Sequence, residues 1–281
     1  MADAAAQPVP VPDADRALAR RLEAAHGWCI AQYAASLQRL RPQLGAAVLE
    51  IAGALAIYAG PSPFSFTVGL GMSAPVTMAD LDQIEEFFAP RGHATRIDVT
   101  PYSDLSLRKL LHQRGYRVSE ITSVLMRDLQ EDLPAFVWPE DITLRWAEPN
   151  DCQAWIDIVA RCFFVREPGP ERRNNMAAMF QVPNSLSVLA LRDNAVVGAA
   201  GGMVPDDLGI AALFASATLA EFRRRGIHGA MLHFRLQRAK ALGCKLALVT
   251  ATPGSASERN LHRYGFRACY EKVTWEKPLQ G

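Results

Sequence analysis

The sequence predicts an α/β protein built as two similar mixed-sheet halves in tandem. Strand-like and helix-like runs alternate along most of its 281 residues, the pattern of helices packed on a sheet. The nineteen-residue stretch "VTPYSDLSLRKLLHQRGYR" (Val99 to Arg117) lies without a gap over "VTATPGSASERNLHRYGFR" (Val249 to Arg267), 150 positions later. Between the copies, "QEDLPAFVWPEDI" (Gln130–Ile142) carries the proline and acidic residues of a linker.

In the repeat, Val-Thr matches Val-Thr, Leu111-His112 matches Leu261-His262, and Gly115-Tyr116-Arg117 lies over Gly265-Phe266-Arg267. Each copy reads as a strand (Thr95–Thr100; Lys245–Thr250), a turn-rich loop, a short helix, a Gly-aromatic pair and a second strand (Glu120–Leu129; Tyr270–Leu279). The glycine suits the left-handed residue that commonly ends a helix. Chance similarity between two strand–loop–helix units is the alternative to duplication.

Residues 1–14, "MADAAAQPVPVPDA", read as a disordered lead-in with neither a basic start nor an apolar core. From Ala14 to about Arg41 the pattern is helical, with Leu18, Leu22 and Ala25 on one side. "AAVLEIAGALAIYAG" gives two short strands broken at Gly53, and "FSFTVGLGM" a third. After the linker come a strand, "ITLRWAE", and a helix, "NDCQAWIDIVARCFF". "LSVLALRDNAVVGAAGGMV" is a hairpin turning at Asp193-Asn194. "IAALFASATLA" is the strand that delivers the chain to a group of arginines. The domains implied are 15–130 and 141–281.

Net charge is +1, so no overall field draws the chain to nucleic acid or to an anionic membrane. No apolar run approaches the roughly 20 residues that span a bilayer. The five cysteines are scattered, with no CxxC pair and no Cys/His cluster at zinc-like spacing. Free thiols in a reducing, cytoplasmic setting and no metal site are the expectation.

The stretch "EFRRRGIHGAML" (Glu221–Leu232) places three arginines just ahead of a helix start. Cations are mildly unfavourable there, because the unpaired N–H groups carry partial positive charge. A bound phosphate would reverse that: the amides converge on it, Gly226 and Gly229 allow close approach, and arginine supplies a planar fork of donors. On charge alone, a solvated basic turn is the simpler reading.

At this point the sequence resembles the GNAT superfamily of acyl-coenzyme A-dependent N-acetyltransferases. The family's signature is Q/R-x-x-G-x-G/A between a central strand and a helix; Arg223 and Gly226 match it, with His228 at the third position. The lead-in "ATLAEFRRRG" has Phe222 as the expected aromatic and Ala220 where proline is usual, and "RYGFRA" resembles the family's closing Gly-Phe. The likeness runs from about Asp141 to Lys277. It implies that acetyl-CoA is the co-substrate and that Ser216, Ala217 and Thr218 offer main-chain groups to the pantetheine and thioester. It further implies that Arg224, Arg225, Gly226, Ile227, His228 and Gly229 wrap the pyrophosphate. The His228 imidazole is expected to point away from the phosphates.

Catalytic groups do not carry over. The family's strand glutamate falls on Val249, its loop asparagine on Gly254 and its tyrosine acid on Leu261. Tyr264 and His262 lie nearby but are shifted in angle, and packing roles suit both. The catalytic pair is therefore unknown. In the first half, "FTVGLGMSAPVTMADLDQIEEFF" (Phe66–Phe88) is the counterpart of the arginine region, without arginine and with Asp80, Asp82, Glu85 and Glu86 in the coming helix. Such residues stabilise a helix start unaided and repel a pyrophosphate, so this half is expected to hold no coenzyme A.

The resulting expectation is an N-acetyltransferase acting by direct attack of a primary amine, on a small-molecule or peptide acceptor, in a ternary complex. Transfer to a hydroxyl and a non-catalytic acyl-CoA-binding sensor or scaffold are the alternatives. Pocket residues that set the acceptor are expected within Cys162–Phe180, read as a loop. Arg166, Glu167, Glu171, Arg172 and Arg173 mix there with Phe163, Phe164 and Phe180. That mixture names no substrate, and the oligomeric state is not readable.

Overall fold

The computed structural model describes residues 13–279 except 134 and 206. The disordered lead-in was expected over residues that lie, up to residue 12, outside those described; Asp13 already begins helix α1 (Asp13–Leu40). The strands are β1 (Ala47–Ile51), β2 (Ala54–Tyr58), β3 (Phe66–Val68), β4 (Thr95–Val99) and β5 (Arg117–Asp128) in the first half. The second half has β6 (Thr143–Trp146), β7 (Val188–Arg192), β8 (Ala195–Met203), β9 (Ile210–Thr218), β10 (Leu246–Ala251) and β11 (Arg267–Lys277). The remaining helices are α2 (Met78–Phe88), α3 (Leu105–Gln113), α4 (Cys152–Phe163), α5 (Pro170–Phe180), α6 (Ile227–Ala241) and α7 (Ala256–Arg263). The expected loop after α4 is thus largely the helix α5, opened by a proline at its first turn where that residue's missing N–H costs nothing.

The eleven strands of the described residues form one sheet, in the order β1-β2-β3-β4-β11-β5-β10-β9-β8-β7-β6. The two halves have exchanged their last strands: β11 lies against β4, and β5 lies against β10. Strands β5 and β11 pair antiparallel about a local two-fold centred on the partners Thr122 and Lys272. Those two residues are 150 apart, the offset of the sequence repeat. The bulges obey the same symmetry, since the pairing skips Ser119 on one strand and Cys269 on the other. A shared offset in sequence, register and irregularity is the physical record of a duplication.

Helices cover both faces. On one, α2 and α3 bury Leu81, Ile84, Phe88, Leu107 and Leu111 against the first half, while α6 and α7 bury Leu232, Leu236 and Leu261 against the second. On the other face α4 and α5 pack over β8 and β9. Helix α1 bridges the halves. Its start buries Ala19, Leu22 and Ala25 with Met203, Ile210 and Leu248, and its end buries Tyr33, Ala34 and Leu37 with Ile57, Phe66 and Val68. Among the described residues, no helix is long and apolar enough to cross a membrane. All five cysteines are free.

Candidate active site

Strands β9 and β10 run parallel but pair only where Ile210–Ala212 face Leu246–Leu248. Beyond that they part, β9 staying with β8 and β10 with β5. The departure coincides with a bulge: Ala199 faces Ala217 and Gly201 faces Phe214, so Ala215 and Ser216 together oppose Ala200. Ala215 is forced to φ 52°, a left-handed conformation uncommon for a residue with a Cβ.

The side chain that braces this bulge was not found from the sequence. Arg235, on α6, is completely buried. It donates to Met231 O (3.0 Å), Gly201 O (2.5 Å) and Ser216 Oγ (2.8 Å). Burial pushes its pKa down to about 9, so the guanidinium is still charged at neutral pH. An arginine at the ninth position of a helix gives no sequence signal of this role, because its strand partners, a hydroxyl and a carbonyl, are 19 and 34 residues away.

Where the strands separate, a cavity of about 550 Å³ opens. Its walls gather Ser216, Ala217, Thr218, Arg224, Gly226, Ile227, His228 and Gly229 from the expected set. They also include Arg223, Cys162, Phe163 and, from α7, Asn260, Arg263 and Tyr264. Arg225 is not on the wall; its guanidinium lies 5.6 Å from the Phe222 ring centre. Arg223 Nε donates to Thr218 O at 3.2 Å and ties the arginine loop to the strand end.

Two left-handed residues, Arg224 (φ 61°) and Gly226 (φ 78°), turn the loop into α6. The helix has no side-chain cap and no acidic residue in its first turn. Its leading amides are therefore without the partners that a cap would supply. Thr218 Oγ1 is also buried with no hydrogen-bond partner. Orphan donors, an orphan hydroxyl and arginines around one cleft fit the pantetheine and pyrophosphate of coenzyme A. His228 is half-buried on this wall, on the helix face it shares with Arg235. Burial, and then the charge of Arg235, pushes it down to about 4, leaving it neutral at pH 7.

The first half treats the corresponding region differently. Thr77 caps α2 in a reciprocal box: Thr77 Oγ1 accepts from Asp80 N at 3.2 Å, and Thr77 N donates to Asp80 Oδ2 at 2.8 Å. Its loop is stitched to the start of α3 by Asp104 N donating to Gly71 O and Val76 N donating to Ser106 Oγ, both at 2.8 Å. Leu70, Val76 and Leu107 fill the space between. Asp82 and Glu85 are engaged by Arg114.

A second cavity, of about 250 Å³, lies across the sheet from the first. Phe163 belongs to both, and the two meet along β9, where Phe214 and Ala215 line one and Ser216–Thr218 the other. Neither cavity presents a carboxylate among the described residues. Val249 lines the apolar one, Gly254 sits in a turn at φ 69°, and Leu261 is buried in the core. Tyr264 has its pKa raised by burial, and its hydroxyl lies against Gly229 at the start of α6, away from the bulge. His262 Nδ1 is 3.0 Å from Phe266 O. Ser255 caps α7 by accepting from Glu258 N at 3.1 Å.

Residues 152–266 match the model of the acetyltransferase (GNAT) family. Solved structures resemble nearly the whole chain. A GCN5-related N-acetyltransferase from Kribbella flavida aligns with TM-score 0.64 at 18% identity, covering 89% of this chain and 96% of that one. A tandem GNAT protein from the clavulanic acid biosynthesis pathway, solved without AcCoA, aligns with TM-score 0.61 at 15% identity, covering 94% and 95%. A GCN5-related N-acetyltransferase from Sphaerobacter thermophilus aligns with TM-score 0.58 at 20% identity, covering 95% and 93%. At these identities the likeness is one of fold. No curated protein matches the sequence.

Proposed function

We propose, from the premise that residues 152–266 belong to the acetyltransferase (GNAT) family, that this protein moves an acetyl group from acetyl-CoA to an amine. The single observation that carries the proposal is the cleft where β9 and β10 part. It joins unpaired strand groups, the orphan Thr218 hydroxyl and an uncapped helix start into one continuous surface. On this reading Ser216, Ala217 and Thr218 hold the pantetheine as an added strand would be held. The amides of Ile227, His228 and Gly229, with Arg224, hold the pyrophosphate. Acetyl-CoA supplies the activated acyl group and a thiolate that leaves readily.

The chain's own contribution is orientation. On this reading a strand N–H at the bulge held by Arg235 faces the reacting carbonyl and stabilises the negative charge that develops there. The two cavities meeting at that bulge bring amine and thioester together, and alignment of this kind supplies much of the rate in direct transfer. No side chain is assigned as base or acid. Proton removal by water is consistent with walls that carry no carboxylate.

That same lack favours a second reading, a coenzyme-binding protein without turnover. One experiment separates the two. Calorimetry with acetyl-CoA is expected to give a 1:1 complex, and incubation with a panel of amines is expected to release free thiol. Absence of any acyl-CoA binding by folded protein would overturn both readings. Binding without thiol release would leave the second.

A further inference from the structure

The apolar cavity is more selective than the sequence indicates. We propose that it receives the uncharged, apolar body of the amine acceptor, an aromatic or branched aliphatic monoamine, and rejects acceptors that carry a second charge. This rests on the transferase reading above.

Tertiary structure sorts the mixed segment Cys162–Phe180 by polarity. Phe163, Phe164, Met176 and Met179 face the cavity. The charged residues turn elsewhere: Arg173 pairs with Asp157 and Glu167, Glu171 lies 3.9 Å from Arg41, and Arg172 stacks 5.1 Å from the Phe164 ring centre. Opposite them, the first half completes the wall with Cys29, Ile30 and Tyr33 of α1 and with Phe64. Strands β9 and β10 add Phe214, Leu248 and Val249. Among the described residues, no Asp, Glu, Lys or Arg lines the space. Its one ionisable imidazole, His26, accepts from Lys272 Nζ at 3.1 Å and is held neutral, at about 3, by burial and then by that lysine.

A second ammonium placed here would lose its water and meet no carboxylate among the described lining residues, a cost far larger than that of burying carbon. Apolar surface of the same size would be stabilised by burial. Phe163, 58% exposed at the rim shared with the coenzyme cleft, and Val165, fully exposed beside it, give an apolar body a matching approach. A volume of about 250 Å³ equals that of roughly eight liquid waters at about 30 Å³ each. That is room for one ring or a short branched chain.

The test is initial-rate thiol release from acetyl-CoA with phenethylamine and isoamylamine against putrescine, spermidine and free lysine. The expected result is a kcat/KM at least about tenfold higher for the apolar monoamines, the scale of an unpaired buried polar group. In parallel, Met179→Glu, which puts a carboxylate on the wall at a partly buried position, is expected to shift preference toward putrescine while acetyl-CoA affinity by calorimetry stays unchanged. Equal or faster acetylation of putrescine or lysine by the unaltered protein overturns the proposal. So does a series in which rate follows the length of the acyl donor and ignores the amine. Thiol release from no amine, with acetyl-CoA still bound, overturns the transferase reading itself and this inference with it.

Discussion

Lys272 and Glu23 are 249 residues apart, and their side chains meet at 3.0 Å with 3% and 2% exposure. The lysine lies between two carboxylates, since Asp98 is also 3.0 Å from Nζ. Tyr270 donates to Glu23 at 2.9 Å and Thr274 to Asp98 at 2.7 Å. Glu23, His26 and Asp98 offer ligand atoms within 4.8 Å of one another, but the ammonium already serves as their cation. The cluster joins α1, β4 and the exchanged strand β11, so it registers the two halves on each other. Removing one member of such a set leaves buried charge unmatched. Lys272→Met is expected to cost about 3–5 kcal/mol in urea unfolding, whereas loss of the exposed pair Arg267–Glu131 is expected to cost less than about 1 kcal/mol.

The same cluster sets a pH dependence. His26 is lowered from 6.5 to about 3 and His228 from 6.5 to about 4, each chiefly by burial. Both are neutral when folded and take up protons more readily when unfolded. Their contribution is complete above about pH 6.5 and is lost as pH falls toward 4 and then 3. Burial raises the Asp98 carboxyl, but Lys272 and Thr274 outweigh it and hold the group below its ordinary range, which steepens the acid limb. At the other end Lys272 is lifted from 10.5 to about 12 by its two carboxylates against the pull of burial, so its contribution fades as pH rises through that interval. Thermal melts across pH 3–8 are expected to fall on the acid side, and His26→Asn to flatten the fall.

On the transferase reading, Arg235 is a positioning residue. Replacement by methionine leaves the carbonyl of Gly201 and the Ser216 hydroxyl unpaired, at about 1–3 kcal/mol for buried groups left unsatisfied. Arg235→Met is therefore expected to lower stability and also to reduce kcat more than it raises KM for acetyl-CoA. Arg235→Lys is expected to recover stability without fully recovering kcat, because one ammonium cannot span both strands. Equal recovery of both by lysine would reduce the residue to a purely structural role.

The arginine loop predicts an unequal pair. Arg224 lines the cleft and Arg225 leans on Phe222. Arg224→Glu is expected to weaken acetyl-CoA binding by roughly tenfold or more, in proportion to a lost charge-assisted contact, and Arg225→Glu by less. At Gly229 an added Cβ lands on the Tyr264 hydroxyl, so Gly229→Ala is expected to displace that ring into the cleft and abolish binding. Calorimetry of the three variants checks all of this.

One coenzyme per chain is the further expectation. The loop of the first half is stitched to the start of α3, from Gly71 to Asp104 and from Val76 to Ser106, and its helix start is already capped by Thr77 and Asp80. Titration with acetyl-CoA that reached a stoichiometry of two would contradict it.

Much of this was legible in the sequence, for reasons that are local. The two-residue turn at Asp193-Asn194, both left-handed in the structure, follows from side chains that tolerate that conformation. The repeat at 150 residues and the glycine motif at Gly226 pointed to the two-fold relation of the halves and to the cleft beside β9. Both are read from neighbouring residues whose backbone demands the chain satisfies by itself. The exchange of β5 and β11 was not legible, because two copies of a strand with the same pattern can each close either half. Nor was the brace of Arg235, the Lys272 cluster or the apolar wall of the second cavity. Each depends on which of several mixed side chains turn inward, and that is decided by the cost of burying unpaired charge once α1 and α5 close over the sheet.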